Sequence, residues 1–144
     1  MRNGEAETLW VREKALELVG ASGLTLVAEA RRPDDGWRAE FLGEVDGPPL
    51  VLLLHKPEAA PYISIECLVP GLGAAAVRDW PALLALVSEH ELALWPEDRP
   101  QDGLHLSARL PVAALAEAPL RFWIGNLVDC RNRLIAEGEG ECEA

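Results

Sequence analysis

The chain has 144 residues, a length that fits one domain built around a single core. Apolar residues make up 49% of it and charged residues 26%, and no apolar run approaches the roughly 20 residues that cross a bilayer, which excludes a membrane span and predicts a globular protein. Its 24 acidic and 13 basic residues give a net charge of -11, which opposes direct binding to the phosphate backbone of a nucleic acid.

The first half of the sequence predicts one helix followed by four strands. In residues 5 to 19, apolar residues recur at helical spacing, namely Val11, Ala15, Leu18 and Val19. Alternating or continuous apolar runs then predict strands at 24–30, 37–43, 50–56 and 62–69. The run 50–56 is apolar on both faces, as a central strand would be. The connections are too short for helical crossovers, so we expect an antiparallel sheet.

The second half predicts a helix, two short strands and two closing helices. Pro81 suits the first turn of a helix that extends to about His90. Short strands are predicted after it, at 92–95 and 104–110. Pro111 and Pro119 are each acceptable only at a helix start, so a short helix followed by a longer one is expected.

These elements predict an α+β fold, in which an antiparallel sheet has helices at both ends and between its strands. The expected order is α-β-β-β-β-α-β-β-α, within a single domain over residues 1–136. Residues 137–144 carry four glutamates and hardly any apolar residue, so they are predicted to form a disordered acidic tail.

The segment 95–111 raises the question of a metal site, because it concentrates possible ligands. These are Glu97, Asp98, Asp102 and His105. Their spacing does not match a calcium-binding EF-hand loop, whereas the prolines and the Asp-Gly pair between two short strands are typical of a hairpin turn. We therefore expect the carboxylates to face water, and we keep Glu97, Asp98 and Asp102 as candidate contacts to a basic partner.

A glycine-rich segment, "GLGAAA" at 71–76, formally fits the dinucleotide-binding fingerprint and follows a predicted strand. Pro81 would interrupt the helix that this fingerprint requires, so a connection between sheet and helix explains the glycines as well. A small ligand- or nucleotide-binding enzyme that uses 71–76 remains the alternative hypothesis, but no cofactor is expected.

The histidines and cysteines do not form a recognisable catalytic or metal-binding motif. His55, His90 and His105 lack the spacing of metal ligands, and the three cysteines include no C-x-x-C pair. Cys67 and Cys130 are expected to pack as small apolar residues. The N-terminus has no apolar segment of a signal peptide, so we expect a reduced protein in the cytoplasm, without catalytic residues or metal ligands.

Tryptophan is abundant, with five residues, and is the residue type most enriched at binding hot spots. Trp80 precedes a helix start between Asp79 and Pro81, which favours partial exposure. Trp123 shares an apolar helical stripe with Leu127, which also fits core packing. Trp80, Trp123 and Leu127 are therefore candidate partner contacts.

The order of elements, with "LALWPEDRPQDGLHLSARLP" leading into "VAALAEAPLRFWIGNLVDCRNRL", resembles the YbjN-like family of bacterial sensory-transduction regulators over about residues 8–135. The same order is similar to type III secretion chaperones. The resemblance implies a small α+β protein without known catalytic residues, usually a homodimer, that holds an extended segment of a client protein. We therefore expect a non-enzymatic, chaperone-like or regulatory module whose client is basic or itself handles nucleic acid.

Overall fold

A computed structural model describes residues 3–33, 35–69, 77–96 and 103–143 of the chain. The elements are α1 (Asn3–Ala21), β1 (Thr25–Arg32), β2 (Gly36–Glu44), β3 (Pro49–Lys56), β4 (Tyr62–Val69), α2 (Trp80–Glu89), β5 (Ala93–Pro96), β6 (Leu104–Pro111) and α3 (Glu117–Glu143), with a short 3-10 helix at Val112–Ala114. This order confirms the predicted α+β fold with helices at both ends of the sheet and between its strands.

The six strands form one antiparallel sheet in the order β1-β2-β3-β4-β6-β5. β3 lies between β2 and β4, which confirms that it is an interior strand. Its side chains, however, are not buried on both sides. Leu50, Leu52 and Leu54 are fully buried, whereas Val51 and Leu53 on the other side remain partly exposed.

The described helices all lie on one face of the sheet, which we call the helix face. Val11, Ala15 and Val19 of α1 are buried there, as the helical spacing predicted. Arg12 of α1 is bonded to Glu29 of β1, which stands in register with the buried Ala39 of β2. α3 covers the same face further along, where the Cys67 thiol of β4 is 3.9 Å from the Leu127 carbonyl oxygen.

α2 lies beside α3 and is joined to it through its C-terminal end. The helix starts where Pro81 predicted, with the Asp79 carboxylate accepting a hydrogen bond of 3.0 Å from the Ala82 amide. At the other end His90 contacts two acceptors, the Leu86 carbonyl oxygen at 2.9 Å and the Asp129 carboxylate at 2.8 Å. Because both ring nitrogens face acceptors, the protonated ring satisfies both contacts.

We expect the His90–Asp129 contact to stabilise the fold more at about pH 5.5 than at about pH 8.5. The hydrogen bond to Asp129 raises the pKa of His90 and lowers the pKa of Asp129. The contribution of His90 to stability is complete below the pKa that its ring has in the unfolded protein. It is lost as the pH rises through the higher pKa that the ring has in the folded protein. The contribution of Asp129 is present above the pKa that its carboxyl has in the unfolded protein and is lost at lower pH. Both groups therefore stabilise the fold fully between about pH 4 and 6.5.

Asp129→Asn should therefore lower the free energy of unfolding by about 0.5–1 kcal/mol at about pH 5.5 and by less at about pH 8.5, the loss being small because Asp129 is exposed. Urea unfolding at both pH values measures this difference. Glu117→Gln removes another exposed carboxylate of α3 and serves as the control. An equal loss for Asp129→Asn at the two pH values would contradict the assignment.

The C-terminal region confirms a short helix followed by a long one, with Pro119 in the first turn of α3. The backbone of α3 continues to Glu143, past the domain boundary that the sequence suggested at residue 136. The predicted disordered tail 137–144 thus falls within this helix up to Glu143, because extending an existing helix costs far less than starting one. Within the described residues, no helix has the length and apolar character needed to span a membrane.

Candidate functional site: the open face of the sheet

The second face of the sheet is covered by no described helix, and we call it the open face. Successive residues of a strand point to opposite faces, so alternate residues of each strand belong to it. The strand register aligns these residues into rows that run across β2, β3, β4 and β6. Each row has a distinct chemical character.

The first row of the open face is apolar. Leu42 of β2 stands opposite Val51 of β3 and is 43% exposed. Leu68 of β4 belongs to the same row and stands opposite His105 of β6. His105 lies between the fully buried Leu104 and Leu106, so its side chain is on the open face.

The second row is acidic. Glu40 of β2, Leu53 of β3, Glu66 of β4 and Ser107 of β6 stand opposite one another in unbroken register. Glu66 is also 3.8 Å from the Nδ1 atom of His105 in the first row. The row therefore carries two carboxylates with an apolar side chain between them.

The third row is basic. It consists of Arg38, His55, Ser64 and Arg109, again in unbroken register. Asp35, in the turn before β2, accepts a hydrogen bond of 2.7 Å from Arg38 and lies 3.3 Å from His55. Arg38 thereby lowers the pKa of the Asp35 carboxyl, and Asp35 places a negative charge beside this end of the basic row.

The fourth row is formed by Tyr62 of β4 opposite Pro111 of β6, with Pro57 at the end of β3. The Arg109 guanidinium lies over the Tyr62 ring, 4.5 Å from its centroid. This cation–π contact fixes the direction of a cationic side chain on the open face.

The middle rows enclose a shallow depression of about 530 Å³. Its lining includes His55, Tyr62, Ser64, Glu66, Ser107 and Arg109. A second depression of about 280 Å³ continues from His55 and Glu66 towards Glu40 and Leu53. Among the described residues, no group of histidine, cysteine and carboxylate side chains is arranged to hold a metal ion. The open face thus presents a row with two carboxylates beside a row with two arginines.

A second exposed surface lies at the β1 edge of the sheet. All eight residues of β1 are exposed, and its register to β2 shifts at a bulge between Leu26 and Ala28. Leu26 and Val27 are 38% and 53% exposed, and Leu42, which pairs with Thr25, is exposed on the open face at the same end of the sheet. This end of the β1 edge is thus an apolar corner of the sheet.

The three described residues that the sequence proposed as partner contacts fall outside both surfaces. Trp80 is the first residue of α2 and is 36% exposed, which fits the predicted partial exposure. Trp123 is partly buried and packs edge-on against Phe122 at 5.3 Å. Leu127 is fully buried against the sheet and has no surface to offer a partner, which corrects that assignment. Glu97, Asp98, Asp102 and the segment 71–76 lie outside the described residues.

The buried cysteines have the packing role that the sequence predicted. Cys67 and Cys130 both belong to the core. Burial raises the pKa of the Cys67 thiol to about 12, so the thiol stays protonated at neutral pH and is a poor nucleophile.

Sequence reasoning missed the residues of the open face, although their signal was present. Arg38 and Glu40 occupy alternate positions of one predicted strand, as do Ser64 and Glu66 of another. The alternation alone shows that each pair shares a face. Only the register between strands shows that the carboxylates align in one row and the cations in the next.

Comparison with known proteins supports the fold and leaves the family open. No protein-family model matches the sequence, and no curated protein is similar enough to count as a relative. The structure is similar to the crystal structure of an uncharacterized protein from Methanothermobacter thermautotrophicus, with a TM-score of 0.68, 12% sequence identity, and coverage of 90% of this chain and 97% of that one. The chain therefore shares its α+β fold, from the N-terminal helix through the six-stranded sheet to the C-terminal helix, with that archaeal protein.

Proposed function

We propose that the chain is a non-enzymatic, chaperone-like or regulatory module that binds an extended segment of a client protein along the β1 edge. The observation that carries this proposal is the exposure of β1 over its whole length. An edge strand offers backbone N–H and C=O groups that no neighbouring strand uses, and an extended segment can pair with them.

The shape of the β1 edge supports a specific position for the client. The bulge near Val27 disfavours pairing at the start of β1, which leaves the regular stretch from Ala28 to Arg32 for backbone pairing. Leu26 and Val27 then provide apolar side chains beside the paired stretch. Backbone pairing gives affinity to an extended segment, and the apolar corner gives preference for a segment with an apolar residue at one end.

Charge supports a basic client. The net charge of -11 creates a negative field around the molecule, which increases the rate of encounter with a cationic partner. Such a client can itself handle nucleic acid, which is compatible with the net charge of this chain. The chain would then modulate that client without touching the nucleic acid.

Affinity capture from a lysate of the source organism, with two matched variants, tests this proposal. Val27→Lys places a charge in the apolar corner, where it should reduce the capture of the client several-fold. Phe122→Lys places the same charge at a 63% exposed position of α3 and should leave capture unchanged. Quantitative mass spectrometry of the retained proteins gives the comparison.

The proposal is contradicted if the unmodified protein retains no protein reproducibly, or if Val27→Lys and Phe122→Lys retain the same set. Circular dichroism of both variants must match that of the unmodified protein. A captured client should also lose binding when its own extended segment is deleted.

A further inference from the structure

The four rows of the open face follow a fixed order along the strands. On β2, β3, β4 and β6 the order is apolar, acidic, basic, and then the row of Tyr62, Pro57 and Pro111. Neighbouring rows are two residues apart, which corresponds to about 6.7 Å. The two charged rows therefore lie in the middle, with a largely apolar row on either side.

This order is complementary to itself under a two-fold rotation. Consider a two-fold axis that lies parallel to the sheet, runs across the strands and passes above the line midway between the two charged rows. Rotation about this axis places a second copy face to face with the first, with the acidic row of each copy opposite the basic row of the other. The same rotation exchanges the apolar row with the Tyr62 row. A two-fold axis along the strands would instead place the acidic row of one copy opposite the acidic row of the other. Only the first arrangement gives an isologous contact in which opposite charges meet.

We propose that the open face is the interface of a homodimer in which two copies of this sheet pack face to face, with the acidic row of each against the basic row of the other. Strand β2 of one copy then lies over β2 of the second, so Glu40 meets Arg38 of the second copy. Leu68 similarly meets Tyr62, and Val51 meets Pro57. The apolar pairs supply affinity, and the charged pairs fix the register and exclude the inverted arrangement.

The size of the open face suits such an interface. Six strands about 4.8 Å apart, with up to eight residues at about 3.3 Å each, give roughly 700 Å² per copy. A standard stable interface buries about 800 Å² per partner. Two sheets packed in this way stay about 10 Å apart, which the long arginine and glutamate side chains can bridge.

The arrangement also explains why β3 is apolar on both sides. Val51 and Leu53 contribute nothing to the core beneath the sheet, yet both are partly exposed where a soluble monomer usually places polar residues. A second copy would bury them. β1 of each copy lies over β1 of the other, but the outer backbone edge of β1 points sideways out of this contact, so each protomer keeps its proposed client surface.

Size-exclusion chromatography with light scattering tests the interface through charge reversal. The unmodified protein should show twice the 15.7 kDa mass of one chain. Arg38→Glu should weaken self-association at least about tenfold, because acidic side chains then face each other, and Glu40→Arg should do the same with basic side chains. Mixed in equal amounts, the two variants should form a heterodimer, since each supplies the charge that the other lacks.

A matched pair of reversals on another surface controls for the change in net charge. Glu117→Arg and Arg121→Glu alter exposed residues of α3 and should leave the dimer intact. The proposal is overturned if the unmodified protein stays monomeric at the highest concentration at which it does not precipitate. It is also overturned if Arg38→Glu and Glu40→Arg each remain dimeric alone, or if an equal mixture of the two remains monomeric. A monomer whose client capture is lost on Arg38→Glu would assign the open face to the client instead.

Discussion

We expect Trp37→Ala to lower the free energy of unfolding by about 3–5 kcal/mol, as measured by urea unfolding followed by circular dichroism. Trp37 is the largest fully buried side chain of the described core. It lies on β2 where α1 crosses the helix face, and its indole N–H donates a hydrogen bond of 2.8 Å to Glu29. Truncation removes the largest single apolar contact of this layer and leaves a cavity that the sheet cannot close.

The partner of Trp37 also links the sheet to α1. Glu29 accepts hydrogen bonds from both Trp37 and Arg12, and the Arg12 contact lowers the pKa of the Glu29 carboxyl. Trp37→Phe keeps most of the ring volume but removes the donor, so it should cost clearly less than Trp37→Ala, about 1–2 kcal/mol. The difference between the two variants separates packing from hydrogen bonding.

Trp10→Ala is the control for Trp37→Ala, because Trp10 is on α1 and is 48% exposed. It should cost about 1 kcal/mol or less. Equal losses at Trp10 and Trp37 would contradict the placement of α1 on the sheet.

The local pattern of the sequence predicts the elements well, because their signals lie within a few neighbouring residues. Pro81 and Pro119 mark helix starts in the structure as in the sequence. The alternation in 62–69 similarly predicts both the strand and its buried side, where Ile63, Ile65 and Cys67 lie. These features depend on the backbone preferences of one segment and not on its partners.

Features that depend on the partners of a segment could not be predicted in the same way. The run 50–56 is apolar on both sides, and the sequence alone cannot distinguish a second layer of helices from a second copy of the sheet. The stripe that holds Trp123 and Leu127 has the same ambiguity. The packing of α3 places Leu127 at the centre of its contact with β4 and Trp123 at its margin.

Arg131 is the clearest example of a residue whose role follows from packing alone. It lies in the apolar stripe of α3 and is fully buried, which would be unfavourable for a cation without partners. Its guanidinium donates hydrogen bonds to the carbonyl oxygens of Pro49 at 3.3 Å and Val45 at 3.4 Å, and to the Asn132 side chain at 3.0 Å. Arg131 thereby joins α3 to the turn between β2 and β3, although burial lowers its pKa.

We expect Arg131→Ala to lower the free energy of unfolding by about 2–4 kcal/mol, because it leaves a cavity and removes the donors of two backbone carbonyl groups. Arg131→Met fills most of the volume without a donor or a charge. Its loss should be smaller, since the cost of burying the cation disappears together with the hydrogen bonds. Urea unfolding of both variants measures the two contributions.

Arg133→Ala provides the matched control two residues further along α3. Arg133 is exposed and pairs only loosely with Asp129, at 3.7 Å, so its removal should change stability by no more than about 0.5 kcal/mol. If Arg131→Ala were as mild as Arg133→Ala, the turn between β2 and β3 would not depend on α3. A large loss at Arg131 alone would show that one buried cation fixes this turn, and with it the end of β2 and β3 where Leu42 and Val51 form the apolar row of the open face.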